Sequence, residues 1–304
     1  MNIIETENLT RRFGRMEAVH ALNLAVPTGS VFALLGPNGA GKTTTLRLLM
    51  NLIAPTAGSA RVLGVDARKL GERERAQIGY VSENQQMPLW MTVRQLLDYC
   101  RPFYPTWDRA LEKTLLAQFA LPEERKLKHL SRGMLMKAAL LSSLAYRPKL
   151  LVLDEPFSGL DPLVREEFVR GVLEVSATGD WTVLVSSHDI EEIERLCDHV
   201  AMLDEGRLRL SEPTEALQAR FRRIEVTLAG DTAKLDPLPA NWSGAERAGA
   251  IVRFVESCYD PIKTGQLCQV YFPGSRIVAQ PLTLREIFVA LARSGLAAAK
   301  GAAA

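Results

Sequence analysis

The sequence predicts an α/β fold: a mixed central sheet with an all-helical insert, followed by a small α+β C-terminal domain. Three observations predict it. Lys149–Asp154 is a continuous apolar run, as a strand of a parallel sheet covered on both faces should be, and Thr182–Ser187 reads as another buried strand. Ser30–Leu35 is a short apolar run that ends in a glycine-rich loop and opens onto the helical pattern Thr43–Ile53. From Thr92 the apolar period lengthens to that of a helix and stays so through a block of about forty residues.

The elements follow in order. Asn2–Leu9 and Ala18–Val26 read as early strands, and Pro27-Thr28-Gly29 as a turn. Arg61–Asp66 (RVLGVD) and Ile78–Glu83 (IGYVSE) are strand-like. Thr92 with Gln95 forms a capping box that starts the helix VRQLLDYC. Trp107–Leu121 is a second helical stretch, and a third begins near Ser131. Val164–Ala177 is a helix; Asp189 and Glu192 cap a further one, IEEIERLC. His199–Leu210 is a hairpin turning at Asp204-Glu205-Gly206. After about Thr214 the character shifts. Ile224–Leu228, Ile251–Glu256 and Cys268–Phe272 (CQVYF) are expected strands, Thr283–Arg293 is the last expected helix, and the alanine-rich end is expected to fray.

Composition narrows the class. The 304 residues are 47% hydrophobic and 24% charged, enough apolar material for a packed core. A net charge of +2 argues against a dominant nucleic-acid surface. Cys100, Cys197, Cys258 and Cys268 form no CxxC pair, so neither a disulfide framework nor a zinc site is expected, and a reducing cytoplasm fits. No apolar run reaches the roughly 18 residues of a membrane span and the N-terminus lacks a signal-type apolar stretch, so any membrane-spanning work falls to another chain.

Two motifs carry chemistry. Gly36-Pro37-Asn38-Gly39-Ala40-Gly41-Lys42-Thr43-Thr44 fits G-x-x-x-x-G-K-[ST], between a strand and a helix. Its glycines let backbone N–H groups turn toward phosphate oxygens, and the following helix presents its positive end. Lys42 supplies charge for the β- and γ-phosphates, and Thr43 offers a hydroxyl to Mg²⁺. Leu150–Glu155 is a buried strand ending in two acids: Asp154 suits Mg²⁺, and Glu155 can polarise an attacking water. Together they point to hydrolysis of a nucleoside triphosphate with Mg²⁺.

On this frame the sequence resembles the ATP-binding-cassette (ABC) ATPases. Leu130-Ser131-Arg132-Gly133-Met134 resembles their LSGGQ signature, Ser158-Gly159-Leu160-Asp161 their D-loop, and His188 their switch histidine. The five elements span residues from about 10 to 210. The resemblance implies a nucleotide-binding domain over residues 1–215, its helical signature subdomain at about 88–145, an accessory domain at 216–296, and a flexible tail at 297–304. It implies a head-to-tail homodimer or heterodimer closing on two ATP molecules. Ser131 and Gly133 of one copy, at a helix N-terminus, would then meet the γ-phosphate held by the other. His188 would also reach that phosphate, Asp161 would couple the sites, and Phe13, flanked by Arg11, Arg12 and Arg15, would stack on adenine. The partners implied are integral membrane permease subunits on separate chains, with this chain peripheral on the cytoplasmic face of the membrane.

The sequence departs from the family pattern at three places. Arg132 stands where Gly is usual, Met134 where Gln is usual, and Glu83 takes the Q-loop position after Gly79-Tyr80-Val81-Ser82. A carboxylate at Glu83 can still meet Mg²⁺ but adds negative charge near phosphate. The closing segment Pro281–Leu291 resembles the last helix of ATPases serving ABC-2-type exporters, which points to export. A soluble ABC ATPase acting on ribosomes or DNA is the competing expectation. Against it stand a single cassette, the lack of a long coiled-coil insert and the near-zero net charge. Met87, Pro88, Trp90 and Met91 have two equal readings: an exposed apolar surface that receives a membrane partner, or local core.

Overall fold

The computed structural model describes residues 1–176, 181–191, 193–194, 196–230 and 238–291. Its described elements run in chain order. The first stretch holds β1 (Asn2–Phe13), β2 (Met16–Leu22), β3 (Ala25–Pro27), β4 (Val31–Leu35) and α1 (Lys42–Leu49). Next come β5 (Ala57–Val62), β6 (Val65–Asp66), α2 (Glu72–Arg75) and β7 (Ile78–Ser82). The helical insert holds α3 (Val93–Cys100), α4 (Arg109–Gln118) and α5 (Arg132–Leu144). Then follow β8 (Leu150–Asp154), α6 (Pro162–Ser176), β9 (Thr182–Ser187), β10 (His199–Asp204), β11 (Arg207–Pro213) and α7 (Thr214–Arg220). The remainder holds β12 (Arg222–Thr227), β13 (Trp242–Ala248), β14 (Ile251–Glu256), α8 (Pro261–Tyr271) and β15 (Arg276–Pro281), and residues 284–291 are helical.

The chain divides into two compact units between Ser211 and Glu212. In the first, six strands form a sheet in the order β11-β10-β4-β9-β8-β7. From β10 to β7 every pairing is parallel. Every residue of β4, β8 and β9 is buried, so the apolar runs Val31–Leu35, Leu150–Leu153 and Val183–Val185 are the sequence image of a sheet covered on both faces. β11 returns on β10 through Glu205 and Gly206, both at positive φ, as a two-residue hairpin turn requires. A second sheet, β2-β1-β5-β6 with β3 beside β1, packs its Ile4, Leu9, Val19 and Val62 into the same core as Leu46 and Leu49 of α1 and Phe32 of β4.

Helix starts are set by side chains. Thr92 and Gln95 make the expected capping box of α3. Asp108 accepts from Ala110 N and Leu111 N to open α4.

The second unit is a four-stranded antiparallel sheet, β13-β14-β12-β15, with α8 supplying Cys268 to a core of Ile224, Val226, Trp242, Val252, Phe254 and Phe272. Glu256 is buried there and accepts hydrogen bonds from Trp242 Nε1, Asn241 Nδ2 and Cys258 N.

The structure corrects three expected elements. Cys268–Tyr271 lie in α8, not in a strand: Asp260 accepts from Ile262 N and Lys263 N, and Pro261 sits at the first helical position. Arg61–Asp66 is not one strand, because Leu63 and Gly64 at positive φ turn β5 back onto β6. The described residues from Glu191 to Leu196 form turns, with Asp189 accepting from Glu191 N; Glu192, expected as a cap, lies outside the described residues. Ala292 and Arg293 of the closing helix and the alanine-rich end also lie outside them.

Candidate active site

The glycine-rich loop joins β4 to α1, and its backbone geometry explains its composition. Gly36, Gly39 and Gly41 all have positive φ. A Cβ at Gly36 would stand 2.2 Å from Leu203 O, and one at Gly41 would stand 2.3 Å from Ala18 O. Pro37 and Asn38 fill the curl, and Ala40 O accepts from Gly206 N at 3.1 Å, which ties the loop to the β10–β11 turn. Thr44 lies in the first turn of α1.

Lys42 is buried, and its ammonium donates to Gly36 O at 2.7 Å and Pro37 O at 3.1 Å. It also lies 3.0 Å from Glu155 Oε1. The other oxygen of Glu155 lies 2.8 Å from His188 Nδ1 and accepts from the His188 backbone N–H at 3.3 Å. Glu155 has φ of +50°, an uncommon conformation for a residue with a side chain, held by its N–H donating to Ser186 Oγ at 3.0 Å.

Asp154, at the end of β8, accepts at one oxygen from Thr43 Oγ1 and Ser186 Oγ, each at 2.9 Å. Tyr80 Oη approaches its other oxygen at 3.5 Å. Burial, reinforced by the Asp154 charge, pushes the Tyr80 phenol above its ordinary range. Ser186 and Tyr80 are absent from the sequence-based candidates. The signal for Ser186 is a hydroxyl that follows the apolar run Val183–Val185 in a fully buried strand.

A hydroxyl and a carboxylate oxygen this close are hard donors of the kind Mg²⁺ takes. Among the described residues no group of three or more His, Cys, Asp or Glu side chains is placed to hold a metal. Mg²⁺ uses one or two protein ligands beside water and phosphate.

The other predicted residues fall into three groups. Glu83 lies near the acids: its backbone N–H donates to Asp154 O at 3.0 Å, while its side chain turns to Ser158 and Arg132. Phe13, at the end of β1, is 43% exposed, with the Arg11 guanidinium carbon 4.5 Å from its ring centroid. Ser131 is the N-cap of α5, accepting from Met134 N at 3.2 Å. Asp161 accepts from Val164 N at 3.0 Å at the start of α6. Gly133 is buried where a Cβ would meet Val164 Cγ1 at 2.6 Å, so contact between α5 and α6 already requires glycine there.

Of the apolar residues after the Q-loop, Trp90 is exposed and Met87 and Pro88 are half-buried. Met91 is buried, as the local-core reading has it, with its carbonyl accepting from Leu127 N.

A parallel sheet, a glycine loop at a helix start and paired acids at the end of β8, one strand removed from β4, define a P-loop nucleotide-binding domain. Residues 19–158 match the profile of the ABC transporter family. An ABC transporter ATP-binding protein of Bacillus subtilis, YtrB, is 30% identical over 230 residues, covering 76% of this chain and 78% of that one. The Nod factor export ATP-binding protein I of Burkholderia lata is 33% identical over 298 residues, covering 95% and 96%. Among solved structures, an ATP-binding subunit of an ABC transporter superposes with a TM-score of 0.65 at 27% identity, covering 71% of this chain and 92% of that one. The chain belongs to the ABC transporter ATP-binding proteins and is an ATPase of that family. Among the described residues no helix is long and apolar enough to cross a membrane.

Proposed function

We propose that the chain is the motor of a membrane exporter. It hydrolyses Mg-ATP on the cytoplasmic face and moves permease subunits carried on other chains. The observation that carries this is the line of Lys42, Glu155 and His188, joined at 3.0 and 2.8 Å beside the glycine loop. Export is supported by the Burkholderia lata relative, whose name specifies export and which is matched along nearly its whole length. Bacitracin transport ATP-binding protein BcrA of Bacillus licheniformis, 34% identical, is another relative whose name assigns it to transport.

In this reading Phe13 stacks on adenine, and the amides of Gly36–Thr44 with Lys42 hold the phosphates. Two copies, or this chain and a similar cassette, face each other head to tail. Each lends Ser131 and the Gly133 N–H to the γ-phosphate held by the other, and Asp161 links the two sites. Thr43 and Asp154 hold Mg²⁺, with Glu83 next to them; the ion, when bound, neutralises charge on the β- and γ-phosphates. Glu155 takes the proton of the attacking water, and His188 fixes the carboxylate that takes it. The apolar groove beside the Q-loop, lined by Met87, Leu89, Leu135 and Met136, receives the membrane partner.

The test is Glu155→Gln. It should bind ATP normally and hydrolyse it about 10²–10⁴-fold more slowly, the usual worth of a positioned base. Parental turnover would remove Glu155 from this role. Tagged chain extracted from its native membranes should carry a polytopic protein in near-equal amount; ribosomal or DNA-bound proteins in its place would overturn the transporter reading.

A further inference from the structure

Two departures from the family pattern, Glu83 and Arg132, are each other's partner. They stand 49 residues apart in sequence, yet Arg132 Nη2 donates to Glu83 Oε1. The same oxygen accepts from Ser158 Oγ at 2.8 Å. The Glu83 backbone N–H is fixed to Asp154 O at 3.0 Å, one residue from Glu155. The guanidinium lies against Gly159: a Cβ there would stand 2.7 Å from Arg132 Nη1 and 3.0 Å from Cζ. Gly159, at φ +67°, therefore leaves the room the arginine occupies. Three segments meet at this carboxylate: the loop after β7, the first turn of α5, and the loop between β8 and α6.

Charge explains the pairing. A lone carboxylate one residue beyond β7, beside Asp154 and Glu155, would repel phosphate. An arginine at the start of α5 would add a lone cation at a helix N-terminus, where positive charge is disfavoured. Together they are neutral. The Glu83 side chain is 28% exposed and that of Arg132 51%, so the carboxylate is partly shielded while the guanidinium stays open to solvent.

We infer that Arg132 is a positioning residue for the Q-loop carboxylate, offsetting its charge and holding it on Ser158 so that this nucleotide site accepts glutamate at position 83. The inference rests on the placement of Glu83 beside the nucleotide.

A double-mutant cycle tests it: Glu83→Gln, Arg132→Gly and the double variant, each titrated calorimetrically with ADP in the presence and absence of Mg²⁺. ADP is the probe because it lacks the γ-phosphate that Ser131 and Gly133 of a facing copy are proposed to meet. Arg132→Gly should weaken Mg-ADP binding about 5-fold, and the double variant should recover to within about 2-fold of the parent, as expected for a coupled pair. Arg132→Lys, which keeps the charge, should recover most of the loss; Arg132→Met, which keeps only the stem, should not. Melting temperatures of all variants identify any that fail to fold. Additive effects, with Arg132→Gly equally harmful in the Glu83→Gln background, would show that Arg132 acts independently of Glu83 and overturn the inference. Parental ADP affinity in every variant overturns it too, and leaves the role of Glu155 standing on its own test.

Discussion

His188 Nδ1 lies 2.8 Å from Glu155 Oε2, so the exposed imidazole and the shielded carboxylate form one unit at the end of two neighbouring strands. Glu155 is held on its other side by Lys42, at 3.0 Å. Replacing His188 by Ala removes the contact that fixes the carboxylate while leaving the loop and Lys42 in place. Single-turnover hydrolysis should slow by about 10²-fold, the low end of what a positioned proton-transfer group contributes. ATP affinity should change far less. A variant that loses affinity but keeps its hydrolysis step would instead make His188 a binding residue.

The glycine loop predicts a graded series. Gly39 and Gly41 both have positive φ, but a Cβ at Gly39 meets nothing within 4 Å, whereas one at Gly41 meets Ala18 O at 2.3 Å. Gly39→Ala should therefore cost about 1 kcal/mol of stability, from the backbone conformation alone. Gly41→Ala adds a backbone clash that α1 or β2 must absorb, and should cost about 3 kcal/mol or more. Urea unfolding of the two variants measures the difference; equal losses would show that the loop relaxes freely.

The cysteines predict a pattern of reactivity. Burial, together with the nearby Glu256 charge, pushes the Cys268 thiol up to about 12. Burial also raises Cys100. Cys258 is exposed and Cys197 buried. Under native conditions at about pH 8, near the ordinary thiol pKa, iodoacetamide should label Cys258 first, and Cys268 only once the second unit unfolds. Mass spectrometry of the labelled peptides reads this directly, and early labelling of Cys268 would contradict the packing of α8 on the sheet.

Much of the site was legible because the chemistry fixes both residue type and spacing. Glycines at Gly36, Gly39 and Gly41 are demanded by backbone conformation, and Asp154 and Glu155 stand out as acids closing an apolar run. Sequence falls short where partners are distant. Ser186 reaches Asp154 across a strand pair, and Arg132 reaches Glu83 across 49 residues, so neither contact has a local signature. The misread elements have local causes. Cys268, Val270 and Phe272 alternate as a strand would, but the Asp260-Pro261 helix start overrides that pattern. Arg61–Asp66 looked continuous because a turn of only Leu63 and Gly64 leaves apolar residues on both sides.

The closing helix, whose local signal the sequence did carry, yields a prediction with a definite sign in pH. Thr283 and Glu286 form a capping box at the start of residues 284–291. Glu286 Oε2 accepts from Thr283 N at 2.9 Å, and Glu286 N donates to Thr283 Oγ1 at 3.3 Å. Arg223 Nη2 of β12 donates to the other carboxylate oxygen at 2.6 Å. The Thr283 backbone bond, followed by the Arg223 bond, holds the Glu286 carboxyl below its ordinary range. A carboxyl whose folded pKa is depressed contributes stability that is present above its unfolded pKa, about 4.3, and is lost as pH falls through the lower folded value. Glu286→Gln should therefore cost about 0.5–1 kcal/mol at about pH 7, allowing for solvent screening of a partly exposed pair. The difference from the parent should shrink as pH falls below about 4, where the parental carboxylate also takes up its proton. Denaturant unfolding of both proteins across that range measures it; a difference that stays constant with pH would mean that Glu286 acts through packing and neutral hydrogen bonds, without its charge.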